Sequence, residues 1–239
     1  MGSSIFGGCA VSTLSTSADN QHDCLDSKRG IVANVPVLII GGGPTGLLQA
    51  YLLSRLGVRS LVVERHFMRA DAPKAHALSP RSLEICRQFG LDMGHVRRLG
   101  TQRDDARWVN FQTTLSGVPL GRLPYERMDV EVLDATPEMI HNIPQPAFEQ
   151  YISEELEKQS MVKVWKGISF ISLEQNKGAV TTLLEERSTG KTYEVGSQFA
   201  IACDGSRSQV REFLGIKTDH EDSSTSKDNA SPGPKANFM

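Results

Sequence analysis

The sequence predicts an α/β fold in which a parallel βαβ unit is followed by an antiparallel β-meander. Three observations predict it. Gly41-Gly-Gly43-Pro-Thr-Gly46 separates a short apolar run from an amphipathic stretch. A further apolar run ending at Glu64 completes strand, turn, helix and strand within about 30 residues. Later, Asn176-Lys-Gly178 and Ser188-Thr-Gly190 punctuate three β-rich runs, as hairpin turns do.

Residues 1–33 are rich in Ser, Gly, Asp and Asn without periodicity, and are read as a disordered leader. Val35-Pro-Val-Leu-Ile-Ile40 is short, apolar and β-branched, as a buried parallel strand requires. From Pro44 to Leu56, Leu47, Leu48, Tyr51, Leu52 and Leu56 recur at helical spacing, and Gly57 supplies the stop. Ser60–Glu64 is the second strand, and Ser79–Phe89 a helix ended by Gly90. Val109 to Leu123 alternates weakly around Gly117, Pro119 and Gly121, which predicts a pair of exposed strands. Ala147–Gln159 places Phe148, Tyr151, Ile152 and Leu156 on one helical face. Val162–Trp165 is a strand; Ile168–Gln175, Val180–Glu186 and Thr192–Val195 form the meander. Gln198–Ala202 is a last buried strand, followed by Asp204-Gly205 and a helix over Gln209–Leu214. Residues 217–239 turn polar again and are read as a disordered tail.

Composition narrows the function. A net charge of -2 over 239 residues excludes nucleic acid and an anionic membrane as principal partners. Arg and Lys are locally enriched between Arg55 and Arg103, which suits either a solvated helical face or a groove for a cofactor phosphate. The cysteines Cys9, Cys24, Cys86 and Cys203 form no C-x-x-C pair, a pattern of a reducing compartment rather than of disulfides or a zinc site. No apolar run approaches the roughly 20 residues of a membrane span. The N-terminus has no basic signal region and is acidic rather than arginine-rich, so the expected location is the cytoplasm.

The glycine turn carries the clearest chemistry. In a G-x-G-x-x-G between strand and helix, Gly41 permits the tight turn and Gly43 lets the backbone approach a pyrophosphate. Gly46 lets the helix pack against the sheet. The helix then aims its free N–H groups and positive dipole end at the anion. Glu64 ends the next strand at the separation of about 20 residues that places an acidic side chain on ribose hydroxyls. Its charge would repel a 2′-phosphate, which favours FAD or NAD over NADP as the tightly held dinucleotide.

Three downstream segments separate those two. Lys74-Ala-His-Ala-Leu-Ser-Pro-Arg-Ser-Leu-Glu84 with Phe89-Gly-Leu91, Ile143-Pro-Gln145 with Phe148-Glu149, and Ala202-Cys-Asp204-Gly-Ser-Arg207-Ser208 occur in order. Together they resemble the class A FAD-dependent monooxygenases, the relatives of p-hydroxybenzoate and phenol hydroxylases. The resemblance implies a Rossmann-type FAD-binding fold over residues 34–216, with the meander at 166–196 and substrate-domain strands around 105–144. It implies FAD as bound cofactor, NADPH as transient electron donor, and oxygen insertion into an aromatic or related small molecule.

The resemblance also implies roles. Lys74 stands where the family usually has arginine, near the flavin and its pyrophosphate, with the charge kept but the bidentate fork lost. Gln145 inherits a hydrogen bond to the cofactor, although helix capping would explain the residue alone. Asp204 inherits a place in the Asp-Gly motif that helps to hold the pyrophosphate and takes part in nicotinamide use, with Arg207 acting through charge. The family's later Gly-Asp motif, of the form G-D-A-A-H, does not occur in the sequence. The expected fold is therefore incomplete at its C-terminal end, and a catalytically inactive relative keeping part of the FAD fold is the alternative. A short-chain dehydrogenase is excluded: Tyr51, Tyr125, Tyr151 and Tyr193 are followed four residues later by Arg55, Asp129, Glu155 and Ser197, never by Lys.

Overall fold

Runs of Val, Ile and Leu that are buried on both sides belong in the middle of a sheet covered on both faces. The computed structural model, which describes residues 31–68, 75–126 and 128–217, puts two such runs there. They are β1 (Ile31–Ile40) and β2 (Ser60–Glu64), joined by α1 (Pro44–Arg55). Next come β3 (Ala77–Leu78), α2 (Pro80–Gln88), α3 (Met93–Leu99), α4 (Arg103–Ala106), β4 (Trp108–Gln112) and β5 (Pro119–Pro124). A 3₁₀ turn at Val130–Asp134 leads to β6 (His141–Asn142), α5 (Gln145–Glu157) and β7 (Val162–Lys166). The chain ends its described part with β8 (Ile168–Asn176), β9 (Ala179–Glu186), β10 (Thr192–Ala202) and α6 (Gln209–Phe213). The readings of a leader before Ile31, of a tail after Lys217 and of Lys74 fall outside the described residues.

The main sheet has the order β7-β2-β1-β10-β9-β8. β7, β2, β1 and β10 are parallel, and β9 and β8 return antiparallel. Counted along the chain, the parallel strands stand 3-2-1-4, the order that makes a switch point between β1 and β10. Alternation sorts the side chains. Val37, Ile39 and Val62 pack against Leu47, Ala50, Phe148 and Ile152 of α1 and α5. Leu38, Ile40, Leu61 and Val63 face the other way, against Ile168, Phe170, Leu184 and Val195. The meander thus covers the face that the helices leave open.

Two expectations are corrected. The meander's third strand and the strand expected at Gln198–Ala202 are one element, β10, whose ladder to β1 runs through Gly196 and Ser197, where propensity suggests an interruption. Residues 198–202 are not buried, contrary to expectation, and Phe199 is 65% exposed. β1 begins at Ile31 rather than Val35, because β10 is long enough to pair with Ile31–Asn34 through Glu194–Gly196. α3 has no counterpart in the sequence reading. Asp92 caps it by accepting from the His95 N–H at 3.0 Å, and Val96 is fully buried. The pair β4–β5 is antiparallel and exposed, as expected, with Leu115, Val118 and Leu120 at its tip and edge uncovered.

Ion pairs hold the return segment before β6. Glu138, 3% exposed, binds Arg87 at 3.5 Å and Arg97 in a shorter contact. His141 packs beneath them, its Nε2 at 3.1 Å from the Arg97 carbonyl oxygen. Burial, reinforced by the Arg97 charge, pushes its imidazole pKa below the ordinary value. The folded chain therefore resists protonating His141 while the unfolded chain does not. This contribution is complete above the ordinary value of about 6.5 and is lost as pH falls through it towards the depressed folded value. Urea midpoints measured from about pH 7.5 to pH 5.5 should fall more steeply for the wild type than for His141→Gln. Parallel slopes would remove His141 from the acid sensitivity.

Candidate functional site

The carboxyl ends of β1, β2 and β10 meet at the glycine turn. The Gly41 N–H donates to the Val63 carbonyl at 2.8 Å, and the Cys203 N–H to the Ile40 carbonyl at 2.7 Å. Gly41 has φ +111°, and a Cβ there would lie 2.3 Å from the Cys203 carbonyl oxygen. A Cβ on Gly46 would lie 1.9 Å from the Gly41 carbonyl oxygen, and one on Gly42 2.8 Å from Cβ of Glu64. These three glycines are where chain presses on chain. Gly43 differs: no atom of the described residues lies within 4 Å of the position its Cβ would take. It is the N-cap of α1, with Pro44 following. Among the described residues no side chain caps the start of α1, where the helix dipole is positive.

Glu64 lies against the same turn, at Gly42. Its Oε2 accepts from the Gly42 N–H at 2.7 Å and its Oε1 from the His66 N–H at 2.8 Å. One carboxylate thereby fixes both the glycine turn and the end of β2. A carboxylate offers about four lone-pair directions, so acceptor capacity remains for hydroxyl groups.

Asp204 stands across the turn, after β10. Its Oδ1 accepts from the Ser208 hydroxyl at 2.6 Å and its Oδ2 from the Val210 N–H at 3.2 Å. Ser208 in turn accepts from the Arg211 N–H at 3.0 Å. The carboxylate is thus turned onto its own loop, where it shapes the start of α6. Arg207, Arg211 and Lys217 line an open surface hollow beside it, together with Glu212. Burial, with the adjacent Asp204 charge, raises the Cys203 thiol pKa, which keeps a thiolate out of the turn.

Gln145 opens α5. Because α5 leads into a strand parallel to β1, its N-terminus lies at the same edge of the sheet as that of α1. The short pair β3–β6 fixes it there: the N–H groups of Ile143 and Gln145 donate to the carbonyls of His76 and Ala75 at 2.8 and 3.1 Å. Gln145 makes no side-chain cap; its Nε2 donates to Oε1 of Glu149 at 2.7 Å. His76 is exposed and contributes a backbone carbonyl.

The structure therefore gathers Gly41, Gly43, Gly46, Glu64 and Asp204 around one turn, and puts Gln145 on the same edge of the sheet. Lys74 lies outside the described residues. Gly42, Ser208 and Glu149 stand in the quoted motifs, but the sequence reading gave them no role. Glu149 and Ser208 each follow a chosen residue by four positions, a spacing that brings side chains together in a helix or at its start. No three metal-ligating side chains cluster among the described residues, and no helix among them is long and apolar enough to cross a membrane.

A βαβ unit with an open, uncapped helix start and an acidic residue on the next strand defines a dinucleotide-binding domain. The family comparison specifies which. The model of the FAD binding domain matches residues 34–232, and the chain belongs to this family, in the class A FAD-dependent monooxygenases. It is 26% identical to 2,4-dichlorophenol 6-monooxygenase of Delftia acidovorans over 80% of this chain and 33% of that protein. It is 31% identical to aklavinone 12-hydroxylase of Streptomyces peucetius subsp. caesius over 77% of this chain and 38% of that protein. Among solved structures, the flavin-dependent monooxygenase PieE in complex with FAD and substrate superposes with a TM-score of 0.74 at 34% identity. That match covers 80% of this chain and 33% of PieE. The chain spans about a third of the length of the curated relatives it matches.

The glycine contacts separate folding from binding. Gly46→Ala should destabilise the chain by at least about 2 kcal/mol, because its methyl group meets backbone that cannot yield. Gly43→Ala, in extended backbone and open space, should stay within about 1 kcal/mol of wild type. Denaturant melts of the two variants check this; equal losses would mean that the turn is packed otherwise.

Proposed function

We propose that this chain supplies the FAD site of an NADPH-driven monooxygenase that hydroxylates an aromatic or related small organic molecule. The observation that carries the proposal is the open space at Gly43, between the uncapped start of α1 and the Glu64 carboxylate. A diphosphate needs that emptiness and those N–H groups; the attached ribose needs the acceptor. The residues present fit FAD. When bound, FAD supplies the electron transfer and oxygen activation that no side chain provides.

The chain's own groups bind and orient. The backbone at Gly43 and the first turn of α1 hold the pyrophosphate, Gly41 and Gly46 keep that backbone close to the sheet, and Glu64 accepts from the ribose. Asp204 keeps the β10–α6 turn in shape beside the pyrophosphate, Gln145 contacts the cofactor from α5, and Lys74 adds positive charge. Residues 34–216 are the FAD-binding domain, and the strands around 105–144 belong to the substrate side. The repulsion between Glu64 and a 2′-phosphate leaves NADPH as a visiting reductant rather than the resident dinucleotide. The names of the relatives, a dichlorophenol monooxygenase and an aklavinone hydroxylase, support a hydroxylated aromatic substrate.

Titration with FAD, followed by quenching of its fluorescence, tests the site. The wild type should bind saturably. Gly43→Val should abolish binding, because a branched side chain fills the space the diphosphate needs. Glu64→Ala should weaken it by about 1.5–3 kcal/mol for each charge-assisted hydrogen bond lost. Equal affinity for wild type and Gly43→Val would overturn the assignment.

A further inference from the structure

Gln145 and Glu149 lie one helical turn apart at the start of α5, and the contact between them has a chemical direction. Glu149 is 8% exposed although it is a carboxylate, and Oε1 of that carboxylate accepts from Nε2 of Gln145 at 2.7 Å. A carboxylate oxygen only accepts, so only the amide nitrogen of Gln145 can face it. A freely rotating carboxamide would present its nitrogen and its oxygen outward equally well. Next to Glu149 it turns its nitrogen inward along the helix and its carbonyl oxygen away. The backbone leaves no slack, because the N–H groups of Ile143 and Gln145 are tied to the carbonyls of His76 and Ala75.

We propose that Glu149 is a positioning residue that fixes Gln145 as a hydrogen-bond acceptor towards the cofactor. The inference rests on the FAD reading above and deepens it. With one amide N–H taken up by Glu149 and the carbonyl oxygen turned away, Gln145 serves a hydroxyl of the cofactor's sugar or polyol chain, and the diphosphate is left to α1. The sequence puts the two residues four apart, and burial of the carboxylate sets which atom of the amide is left for the ligand.

Exchanging the two side chains tests the polarity. Glu149→Met removes the restraint and should lower FAD affinity about three- to tenfold, the scale of one net hydrogen bond, with the melting temperature of the cofactor-free chain little changed. Gln145→Glu sets two carboxylates against each other and should lower affinity further. Gln145→Glu combined with Glu149→Gln rebuilds the pair in reverse: the amide now at position 149 donates, and the carboxylate now at position 145 keeps an acceptor oxygen facing the cofactor. That double variant should recover FAD affinity to within about threefold of wild type. If Gln145 instead donates to a phosphate, the exchanged pair will bind no better than Gln145→Glu, and the proposal falls. Unchanged affinity in Glu149→Met, or a loss that follows the melting temperature alone, also overturns it. Failure of the FAD reading looks different: there the wild type does not bind, or Gly43→Val binds as well as wild type.

Discussion

At Gly41 three stretches of backbone approach so closely that no side chain fits among them. The turn leaves β1, donates to the end of β2 and presses on the carbonyl at the end of β10, while the Gly41 carbonyl meets the first turn of α1. That crowding is what empties the space beyond it. With the glycines packed on the inner side, Gly43 stands clear on the outer side, with no atom of the described residues within 4 Å of its Cβ position. The close approach that costs the chain its side chains thus leaves room at Gly43, where the proposed diphosphate site lies. Glu64 belongs to the same construction, because the carboxylate proposed to meet the ribose also holds the Gly42 N–H.

β10 makes this geometry possible. Its first half pairs with β9 in the meander, and most of its length pairs with β1 in the parallel sheet, so one continuous strand joins the two layers. The meander covers Leu38, Ile40, Leu61 and Val63 while the helices cover Val37, Ile39 and Val62, so β1 and β2 are shielded from water on both faces. A rigid, doubly covered sheet holds the strand ends in place, and the site is built on those ends, with Asp204 following directly from β10. The tie between β3 and β6, backed by Glu138 and its two arginines, does the equivalent work for Gln145.

What was legible in the sequence, and what was not, follows from the range of the interactions. Ser60–Glu64 and the helix after Pro44 were readable because apolar period, β-branched content and glycine punctuation agree within a few residues. Gly41, Gly43 and Gly46 could be placed by the motif, and their surroundings differ: backbone crowds Gly41 and Gly46, and no atom of the described residues lies near Gly43. The continuity of β10 through Gly196 was not legible, since it depends on partners on both sides that are remote in sequence. α3 is short, and its Asp92 cap is a local signal that an apolar pattern of only Val96 and Leu99 did not support. Asp204 could be located, but that its carboxylate turns onto Ser208 and Val210 required the fold. Likewise Glu149 could be located in its motif, but that its carboxylate accepts from the Gln145 amide required the fold.

Amide hydrogen exchange with and without FAD tests the central claim most directly, because the claim concerns backbone N–H groups. If the open start of α1 is the diphosphate site, FAD should slow exchange at residues 43–47 and at 64–66, and leave the meander at 168–186 unchanged. Slowed exchange elsewhere with none at 43–47 would contradict the account, since the ligand would then be bound without using the turn around which the fold is arranged.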